Sequence, residues 1–571
     1  MTGANNRRRE PGKAGTDTAL LVGAIAIIGV LGVVWVAVAV GSRLKHVNPH
    51  LPTDPFAILA GLARGSITWP PASTWCAVGI VVLLGSLGAV VISARYRGGR
   101  KLVDRAGRYM ATAKQLQHLH GKRALATSRR LGVPGSAGIP LGRLQTGGQQ
   151  LYASFEDMLI LIAGPRVGKS TSFVIPAIAA APGAVVTTSN KRDVVDATRG
   201  IRGLAGPVWV FDPQGVAGEA PTWWWNPLSY VTDDTRAAKL AQHFASGTTA
   251  PGARTDAYFD GKGQNLLAGL LLAAALGNRP VTDVYEWLTN SGDTTPTELL
   301  ETSRYTRIAE AVRAVQLSTE KQRDGIYSSA ERMAACLANT AIEPWVNPDP
   351  DRPRPQFDPR SFVTGTGTLY SLSKEGAGTA GPLVTALTAA TIDAAEELAA
   401  RSPAGRLPTP LIGILDEAAN VCRWTDLPDL YSHFGSRGIP ILSVFQSYSQ
   451  GVAVFTRDGM RKLWSASNVK LYAGGVSEPE FLNELADLIG SYDRETTTAS
   501  ISRGIRSTST SLKRERILDI QELADLPRSR AILFSSGARA ALLRTIPWYD
   551  SPDAARIRSS LTTHDPATAL S

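Results

Sequence analysis

The stretch Ala163-Gly164-Pro165-Arg166-Val167-Gly168-Lys169-Ser170 follows the apolar run Met158 to Ile162 and precedes the helix-like segment Thr171 to Ala180. An apolar strand, a glycine-containing loop and a helix in this order are typical of a phosphate-binding loop. Backbone N–H groups and the helix N-terminus of such a loop bind the nucleotide phosphates. The sequence therefore predicts a nucleotide-binding domain.

Individual roles follow from the chemistry of this loop. Lys169 is predicted to reach the β- and γ-phosphate oxygens of ATP, and the Ser170 hydroxyl to bind Mg²⁺. The residues predicted to line the nucleotide are Gly164, Pro165, Arg166, Val167, Gly168, Lys169, Ser170 and Thr171. One position departs from the usual G-x-x-x-x-G-K-[ST] pattern, because Ala163 stands where that pattern has glycine and Gly164 follows one place later.

A second apolar strand, Leu411 to Leu415, ends in Asp416 and Glu417. Asp416 is predicted to act on Mg²⁺, directly or through a bound water. Glu417 is predicted to orient the water that attacks the γ-phosphate, because phosphoryl transfer depends mainly on positioning and charge stabilisation. The alternative interpretation is that these acids only stabilise a helix N-terminus, where the helix dipole favours negative charge.

A third strand, Ile439 to Phe445, ends in Gln446. Its neutral amide can hydrogen-bond both the attacking water and the phosphate, so Gln446 is a candidate catalytic residue and sensor of hydrolysis. A polar residue that merely ends a buried strand is the alternative.

The chain has 571 residues, of which 44% are hydrophobic, and a formal net charge of +11. Two uncharged segments, Thr18 to Val40 and Thr74 to Ile92, stand apart; the first would extend roughly 34 Å as a helix, enough to cross a bilayer. Basic residues flank the pair on its outer sides, so the positive-inside rule predicts a multi-pass protein of the cytoplasmic (inner) membrane with both termini in the cytoplasm.

Twelve basic residues and a single acid, Asp104, lie between Arg95 and Arg143. Such a segment can be attracted by anionic lipid headgroups or by nucleic-acid phosphates, and both interpretations stay open. The three cysteines, Cys76, Cys336 and Cys422, are far apart and suggest neither a disulfide framework nor a metal site.

Short β-rich runs alternate with helical stretches along the rest of the chain, which predicts an α/β sheet. The chain between the two nucleotide motifs is longer than one βα unit needs, and its pattern from about Thr232 to Ala341 is helical. The predicted division is a basic N-terminus (1–17), a transmembrane hairpin (18–92), a basic stem (93–150), a nucleotide-binding domain in two parts (151–231 and 346–552), an all-helical insert (232–345) and a tail (553–571).

These residues resemble a family, the type IV secretion coupling proteins, also called TraG/TraD-like conjugative ATPases. The similarity extends over nearly the whole chain and is carried by the phosphate loop, Phe211-Asp212-Pro213, Asn226-Pro227-Leu228, Leu415-Asp416-Glu417, Arg437-Gly438-Ile439 and Gln446 to Gln450. One departure is Ser189-Asn190-Lys191, where relatives tend to have Asp-Pro-Lys, so the role of that acid is in doubt here.

The resemblance implies a membrane-anchored RecA-like P-loop ATPase with an all-α insert, using ATP and Mg²⁺ and assembling as a homo-hexameric ring. Such a ring would receive single-stranded DNA bound to a relaxase and feed it to type IV secretion channel components. A ring of this kind needs an arginine from the neighbouring subunit at the transition state, and Arg437 is the candidate, with an ordinary surface arginine as the alternative.

Two other function classes are weighed against this one. A double-stranded DNA translocase of the FtsK/TraB type would be expected to carry a winged-helix domain, and the stretch after Pro552 is shorter than such a domain. A nucleotide-binding membrane scaffold for protein export would not need the complete set Lys169, Ser170, Asp416 and Glu417. Trp223, Trp224 and Trp225 could stack on bases, but a packed aromatic cluster is the favoured interpretation.

Overall fold

The structure is a computed structural model that describes residues 31–44, 47–48, 51–97, 102–248, 256–375, 379–502 and 505–566. Contacts divide the chain into two compact units, residues 1–101 and 102–571. The helices of the first unit are α1 (residues 31–44), α2 (Pro55–Ala63) and α3 (Pro71–Arg97). Helix α2 begins at Pro55, and the preceding Asp54 caps it by accepting a hydrogen bond from the backbone N–H of Phe56 at 3.0 Å.

The predicted membrane anchor is not supported. A helix must hold about 20 consecutive apolar residues to cross the hydrocarbon core of a bilayer. Within the described ranges, no helix combines the length and the apolar character that a crossing requires. This finding contradicts the predicted multi-pass location in the cell membrane. Of the two predicted spans, Thr74 to Ile92 lies within α3, whereas residues 18–30 of the first lie outside the described residues.

The second unit is built around a sheet of eleven strands. Its strands are β1 (Ile139–Leu144), β2 (Gln150–Ala153), β3 (Leu159–Ile162), β4 (Val185–Ser189), β5 (Val208–Phe211), β6 (Thr368–Leu372), β7 (Ile412–Leu415), β8 (Ile441–Phe445), β9 (Val469–Tyr472), β12 (Arg530–Ser535) and β13 (Ala541–Arg544), while β10 (Ser491–Ser502) and β11 (Ile505–Arg516) form a separate hairpin. The order across the sheet is β2-β1-β13-β12-β9-β3-β8-β7-β4-β6-β5.

Strands β9, β3, β8, β7, β4, β6 and β5 are mutually parallel, and the four strands on the far side of β9 pair antiparallel. The predicted α/β class is confirmed by this arrangement. The sheet includes β1, which lies in the segment that the sequence assigned to the basic stem, and β2, whose first residue, Gln150, ends that segment.

The helices of the second unit cover the sheet on both faces. They are α4 (Leu102–Ala106), α5 (Gly121–Arg130), α6 (Ile175–Ala179), α7 (Asp193–Ala205), α8 (Asp234–Thr248), α9 (Ala257–Leu276), α10 (Asp283–Thr289), α11 (Thr295–Thr302), α12 (Thr306–Gln316), α13 (Glu320–Ala334), α14 (Glu343–Val346), α15 (Pro359–Phe362), α16 (Gly381–Arg401), α17 (Leu427–Ser436), α18 (Tyr448–Ala466), α19 (Pro479–Ile489), α20 (Ile520–Ala524) and α21 (Ala554–Thr563).

Neighbouring residues of the central strands belong to opposite core clusters. Ile160 and Ile162 of β3 pack into one cluster, and Leu159 and Leu161 pack into the other. Because both faces of a parallel sheet are covered by helices, its central strands are buried on both faces, and β3 is apolar at every position. The nucleotide motifs therefore follow strands that are held firmly on both sides.

Helices α8 to α14 follow β5 and precede β6. Helix α9 is the central one, because its leucines are buried and it packs against α8, α11 and α13. Asp256 caps α9 by accepting from the backbone N–H groups of Tyr258 and Phe259 at 3.1 and 3.3 Å. This block of helices occupies the part of the sequence predicted to be helical.

Arg202 of α7 ties the edge of the sheet together. Its guanidinium donates to the Thr368 hydroxyl at 2.7 Å and to the carbonyl oxygens of Ala181, Gly183 and Thr366 at 2.7 to 2.8 Å. Only 2% of Arg202 is exposed, and this burial lowers the pKa of the guanidinium. The buried charge of Arg202 is tolerated because the N–H groups of its guanidinium donate to hydrogen-bond acceptors inside the protein.

We expect Arg202→Met to destabilise the second unit by about 3 kcal/mol, because three carbonyl oxygens would lose their donor inside the protein. Thermal unfolding followed by circular dichroism measures the effect. The matched control is Arg313→Met, which removes an exposed arginine paired with Glu301 and should cost about 1 kcal/mol at most. Equal unfolding temperatures for the two variants would show that Arg202 does not have this role.

Candidate nucleotide-binding site

The three motifs singled out in the sequence meet at one edge of the sheet. Strands β3 and β8 are paired so that Ile162 lies opposite Phe445, and β7 and β8 so that Leu415 lies opposite Ser443. The carboxyl ends of parallel strands share an edge, so the residues that follow these strands are neighbours in space. The structure thus brings the phosphate loop, the two acids and Gln446 together.

The loop after β3 is shaped by close backbone contacts. Gly164 donates its N–H to the carbonyl of Gly474 at 2.9 Å, and a Cβ atom at position 164 would lie 1.9 Å from the carbonyl oxygen of Gly475. Gly168 has φ +90°, a backbone conformation that favours glycine. Ala163 still extends the strand, with its N–H bonded to the Phe445 carbonyl at 3.0 Å. The departure at Ala163 therefore leaves the loop intact.

The remaining loop residues differ in exposure. Pro165 and Arg166 are exposed, Val167 is buried, and Gly168 is half-buried. Ser170 begins a π-helical turn, Ser170–Val174, that leads into α6, and the Thr171 hydroxyl bonds to the Gly168 carbonyl at 3.1 Å. The Ser170 side chain is half-buried at the start of this turn, which is where a Mg²⁺ ligand of a phosphate loop is expected.

Lys169 and Glu417 form a buried ion pair through the Lys169 ammonium and Oε1 of Glu417. Only 2% of the Glu417 side chain is exposed. The Gln446 amide nitrogen donates to both carboxylate oxygens of Glu417, at 2.9 and 2.8 Å. Glu417 also has φ +56°, a strained conformation for a residue with a side chain. The three residues predicted to be catalytic at this edge therefore form one connected cluster.

Asp416 is buried beside this cluster, and one of its carboxylate oxygens, Oδ1, is buried without a hydrogen-bond partner in the described part of the chain. Burial raises the pKa of Asp416 to about 7, although Lys169 opposes the shift. An unpartnered buried carboxylate oxygen suits Mg²⁺, which prefers oxygen ligands and keeps several waters. Asp416 and Ser170 both carry oxygen atoms of the kind that such an ion needs, and their assignment to Mg²⁺ stays a prediction.

Arg437 lies away from these residues. It follows α17 and precedes β8, so it is at the amino end of the strand whose carboxyl end carries Gln446. Its Nε is 3.3 Å from Oε1 of Glu396. A five-residue strand separates the two edges by about 16 Å, so Arg437 does not join the site of its own subunit. Its assignment to a neighbour's site stays a prediction.

Sequence reasoning missed Glu375, which follows β6. Its Oε1 accepts hydrogen bonds from the amide nitrogens of Asn190 at 2.8 Å and Asn420 at 2.9 Å, and Asn420 also donates to Glu417 at 3.4 Å. Asn190 directly follows Ser189, which occupies the position where an acid was expected by resemblance. A carboxylate that follows β6 is thus held beside the end of β4, and the signal in the sequence was the missing acid at Ser189.

The tryptophan run takes part in the core instead of lining this site. Trp223 and Trp225 are 4% and 0% exposed, and Trp223 packs on Trp209, Phe211, Trp345 and Phe357 with ring centroids 5.2 to 6.0 Å apart. These rings have no free face for a nucleic-acid base. The favoured interpretation of a packed aromatic cluster is correct for both residues.

We expect Gly164→Ala to abolish measurable binding of a fluorescent ATP analogue, because the added methyl group would push the loop away from Gly475. Fluorescence titration measures the affinity. Gly261→Ala in α9 is the matched control, since nothing lies within 4 Å of a Cβ at that position, and it should bind like the unaltered chain. Normal binding by a folded Gly164→Ala variant would contradict this account of the loop.

The raised pKa of Asp416 predicts a pH-dependent affinity for MgATP. Below the pKa of about 7 the carboxyl is protonated and must lose its proton to interact with Mg²⁺. Affinity should therefore fall by up to about tenfold for each pH unit below that value. The measurement is a titration at several pH values with the unaltered chain and with Asp416→Asn. If both proteins show the same slope, the titrating group is the nucleotide and not Asp416.

Residues 410–528 match the family model described as the TraM recognition site of TraD and TraG. The fold is similar to that of the bacterial conjugative coupling protein TrwBΔN70 in its unbound form, with a TM-score of 0.54 and 17% identity over 74% of this chain and 91% of that one. TrwB in complex with ADP and Mg²⁺ gives a TM-score of 0.50 at 18% identity, over 69% of this chain and 85% of that one.

TrwB in complex with the ATP analogue ADPNP also matches, with a TM-score of 0.50 and 17% identity over 68% of this chain and 86% of that one. A search of curated proteins found no sequence match to the chain. The resemblance to the type IV coupling proteins is confirmed by the family model and by the shared fold.

Proposed function

We propose that this coupling-protein-like chain hydrolyses ATP to drive conjugative transfer of single-stranded DNA bound to a relaxase. The observation that carries the proposal is the buried cluster of Lys169, Glu417 and Gln446 beside the unpartnered Asp416. Its setting at the carboxyl edge of a TrwB-like sheet supports the same conclusion, because the matched TrwB structures hold ADPNP, or ADP with Mg²⁺.

The geometry suggests how hydrolysis would proceed. Lys169 neutralises Glu417 in this structure, and the γ-phosphate of ATP would compete for the same ammonium group. Glu417 would then keep its two hydrogen bonds from Gln446 and be able to accept one from the attacking water. Mg²⁺ held by Ser170 and Asp416 would supply charge stabilisation of the phosphate oxygens.

Gln446 is suited to report the outcome. Its side chain contacts Glu417, and its backbone N–H donates to the Gln450 side chain at 3.2 Å, in the first turn of α18. A change in the hydrogen bonds of Glu417 would therefore alter the contact between Gln446 and the first turn of that helix. This supports the predicted role of Gln446 as a sensor.

The partners are proposed from the comparisons and from charge. TraD and TraG carry a TraM recognition site by the description of the matched family, so residues 410–528 are the proposed docking region for an accessory protein of the relaxosome. The net charge of +11 supports contact with DNA phosphates. Delivery to type IV secretion channel components follows from the family resemblance.

A homo-hexameric ring is the proposed assembly, again by resemblance. In such a ring Arg437 would act in the site of the adjacent subunit, since its own Glu417 lies at the other edge of the sheet. Its contact with Glu396 is partly exposed, with 33% of the Arg437 side chain accessible, so the arginine could be released on assembly.

The test of the motor is ATPase activity of the full chain with single-stranded DNA, with double-stranded DNA and without DNA. We expect stimulation by single-stranded DNA. Glu417→Gln should lower the rate by at least about a hundredfold while the protein still binds ATP, because it removes the group that orients water. Phosphate release and nucleotide titration measure the two quantities.

Lys169→Ala is the companion variant and should lose both binding and hydrolysis. Stronger stimulation by double-stranded DNA would favour a translocase of the FtsK/TraB type. Full activity of Glu417→Gln would mean that this cluster does not carry out hydrolysis.

A further inference from the structure

An open groove of about 560 Å³ lies between the segment after α4 and the base of the β10–β11 hairpin. Its lining consists of Arg108, Tyr109, Met110, Thr112, Lys114, Gln115, Ser491, Tyr492 and Arg539. No acidic side chain belongs to this lining in the described structure. The volume is within the range of sites that hold small ligands or parts of larger ones.

The groove is remote from the nucleotide loop. Arg539 lies in the turn after β12, and Ser535 at the end of β12 pairs with Val469 at the amino end of β9. The nucleotide loop is at the opposite, carboxyl edge, where Tyr472 of β9 lies beside Ile162 of β3. The basic residues of the groove are therefore not explained by the phosphates of ATP.

An aromatic stack forms one wall. The rings of Tyr109 and Tyr492 are parallel within 17°, with centroids 4.1 Å apart, and the Arg108 guanidinium is 4.8 Å from the centroid of the Tyr109 ring. Both tyrosines are only partly buried. A partly exposed aromatic stack with an arginine offers ring faces on which a nucleic-acid base can stack.

The charges of the groove lack internal partners. Arg108, Lys114 and Arg539 are exposed, and none of them takes part in an ion pair among the residues that the structure describes. The nearby acid Glu515 accepts from the Tyr492 hydroxyl at 3.5 Å and is already paired with Arg494 and Lys513. The groove is thus positively charged and has room for a phosphate chain.

Backbone contacts hold the walls in place. The Ala111 N–H bonds to the Ala540 carbonyl at 2.8 Å, which links the segment after α4 to the turn that carries Arg539. The Ile517 N–H bonds to the Gly490 carbonyl at 3.0 Å and closes the base of the hairpin. A preformed groove loses little conformational entropy on binding.

We propose that this groove binds single-stranded DNA, with Lys114 and Arg539 on the phosphate backbone and the Tyr109–Tyr492 stack beneath a base. This inference rests on the proposed function. An acidic peptide would satisfy the charges but would not use the aromatic stack, and the bases of a duplex are already stacked on one another. Unpaired bases on a flexible phosphate chain match both features.

The test measures binding of a fluorescent thirty-nucleotide oligothymidine to the full chain by anisotropy at several salt concentrations. The double variant Lys114→Gln/Arg539→Gln should reduce the slope of log affinity against log salt by about 1.4, since two phosphate contacts are lost. Its affinity should fall about tenfold. Tyr492→Ala should also bind about tenfold more weakly, and Tyr492→Phe should bind normally because the ring is kept.

The matched control is Arg307→Gln/Lys321→Gln, which removes the same two charges from exposed positions on α12 and α13 and should bind like the unaltered chain. Unfolding temperatures show that the variants are folded.

If the groove variants and the control bind DNA equally well, the groove is not the site, even though the proposed function stands. If the unaltered chain binds ATP but does not bind the oligonucleotide, the proposal of a DNA cargo and the proposal of a DNA-binding groove are both wrong. If binding of polyglutamate depends on Lys114 and Arg539 whereas binding of DNA does not, the groove is a protein-binding site.

Discussion

The buried charges of Lys169 and Glu417 constrain the rest of the motor unit. Each would cost several kcal/mol to bury alone, so each requires the other close by. Parallel pairing of β3, β8 and β7 places the two charges together, and a buried carboxylate also needs a hydrogen-bond donor, which the residue after the intervening β8 can supply. Gln446 meets that need with one amide group bonded to both carboxylate oxygens. This network of one ion pair and two hydrogen bonds joins Lys169, Glu417 and Gln446 at the carboxyl edge of the sheet.

Much of this site was predictable because it is local in sequence or follows from parallel strands. The loop Gly164 to Ser170, the pair Asp416 and Glu417, and Gln446 each come directly after an apolar run, and parallel pairing forces such residues together. The central strands were predicted to within two residues, since β3 is apolar at every position and β8 at every position but Ser443. The predicted and observed strands agree because burial in the sheet is what makes the sequence of these strands apolar.

Other features depend on contacts that no local pattern records. Glu375 reaches the site because β6 pairs with β4 across a long separation in sequence, and the bonds from Asn190 and Asn420 hold it there. The β10–β11 hairpin lacks the alternation of apolar residues that predicts a strand, so it was missed. Long uncharged segments suggested membrane spans, yet none of the described helices meets the combined demands of length and apolar character.

The two edges of the sheet are joined by a continuous set of elements. Gln446 leads into α18, whose first N–H groups, those of Tyr448 and Ser449, donate to Glu478 at 3.2 Å. Glu478 precedes α19, and the Tyr448 ring stacks on Phe481 of that helix with centroids 5.1 Å apart. Helix α19 spans about 16 Å and ends immediately before the base of the hairpin, which carries Tyr492. Helix α19, held at its start by α18, therefore connects the residues that follow Gln446 to the wall of the groove.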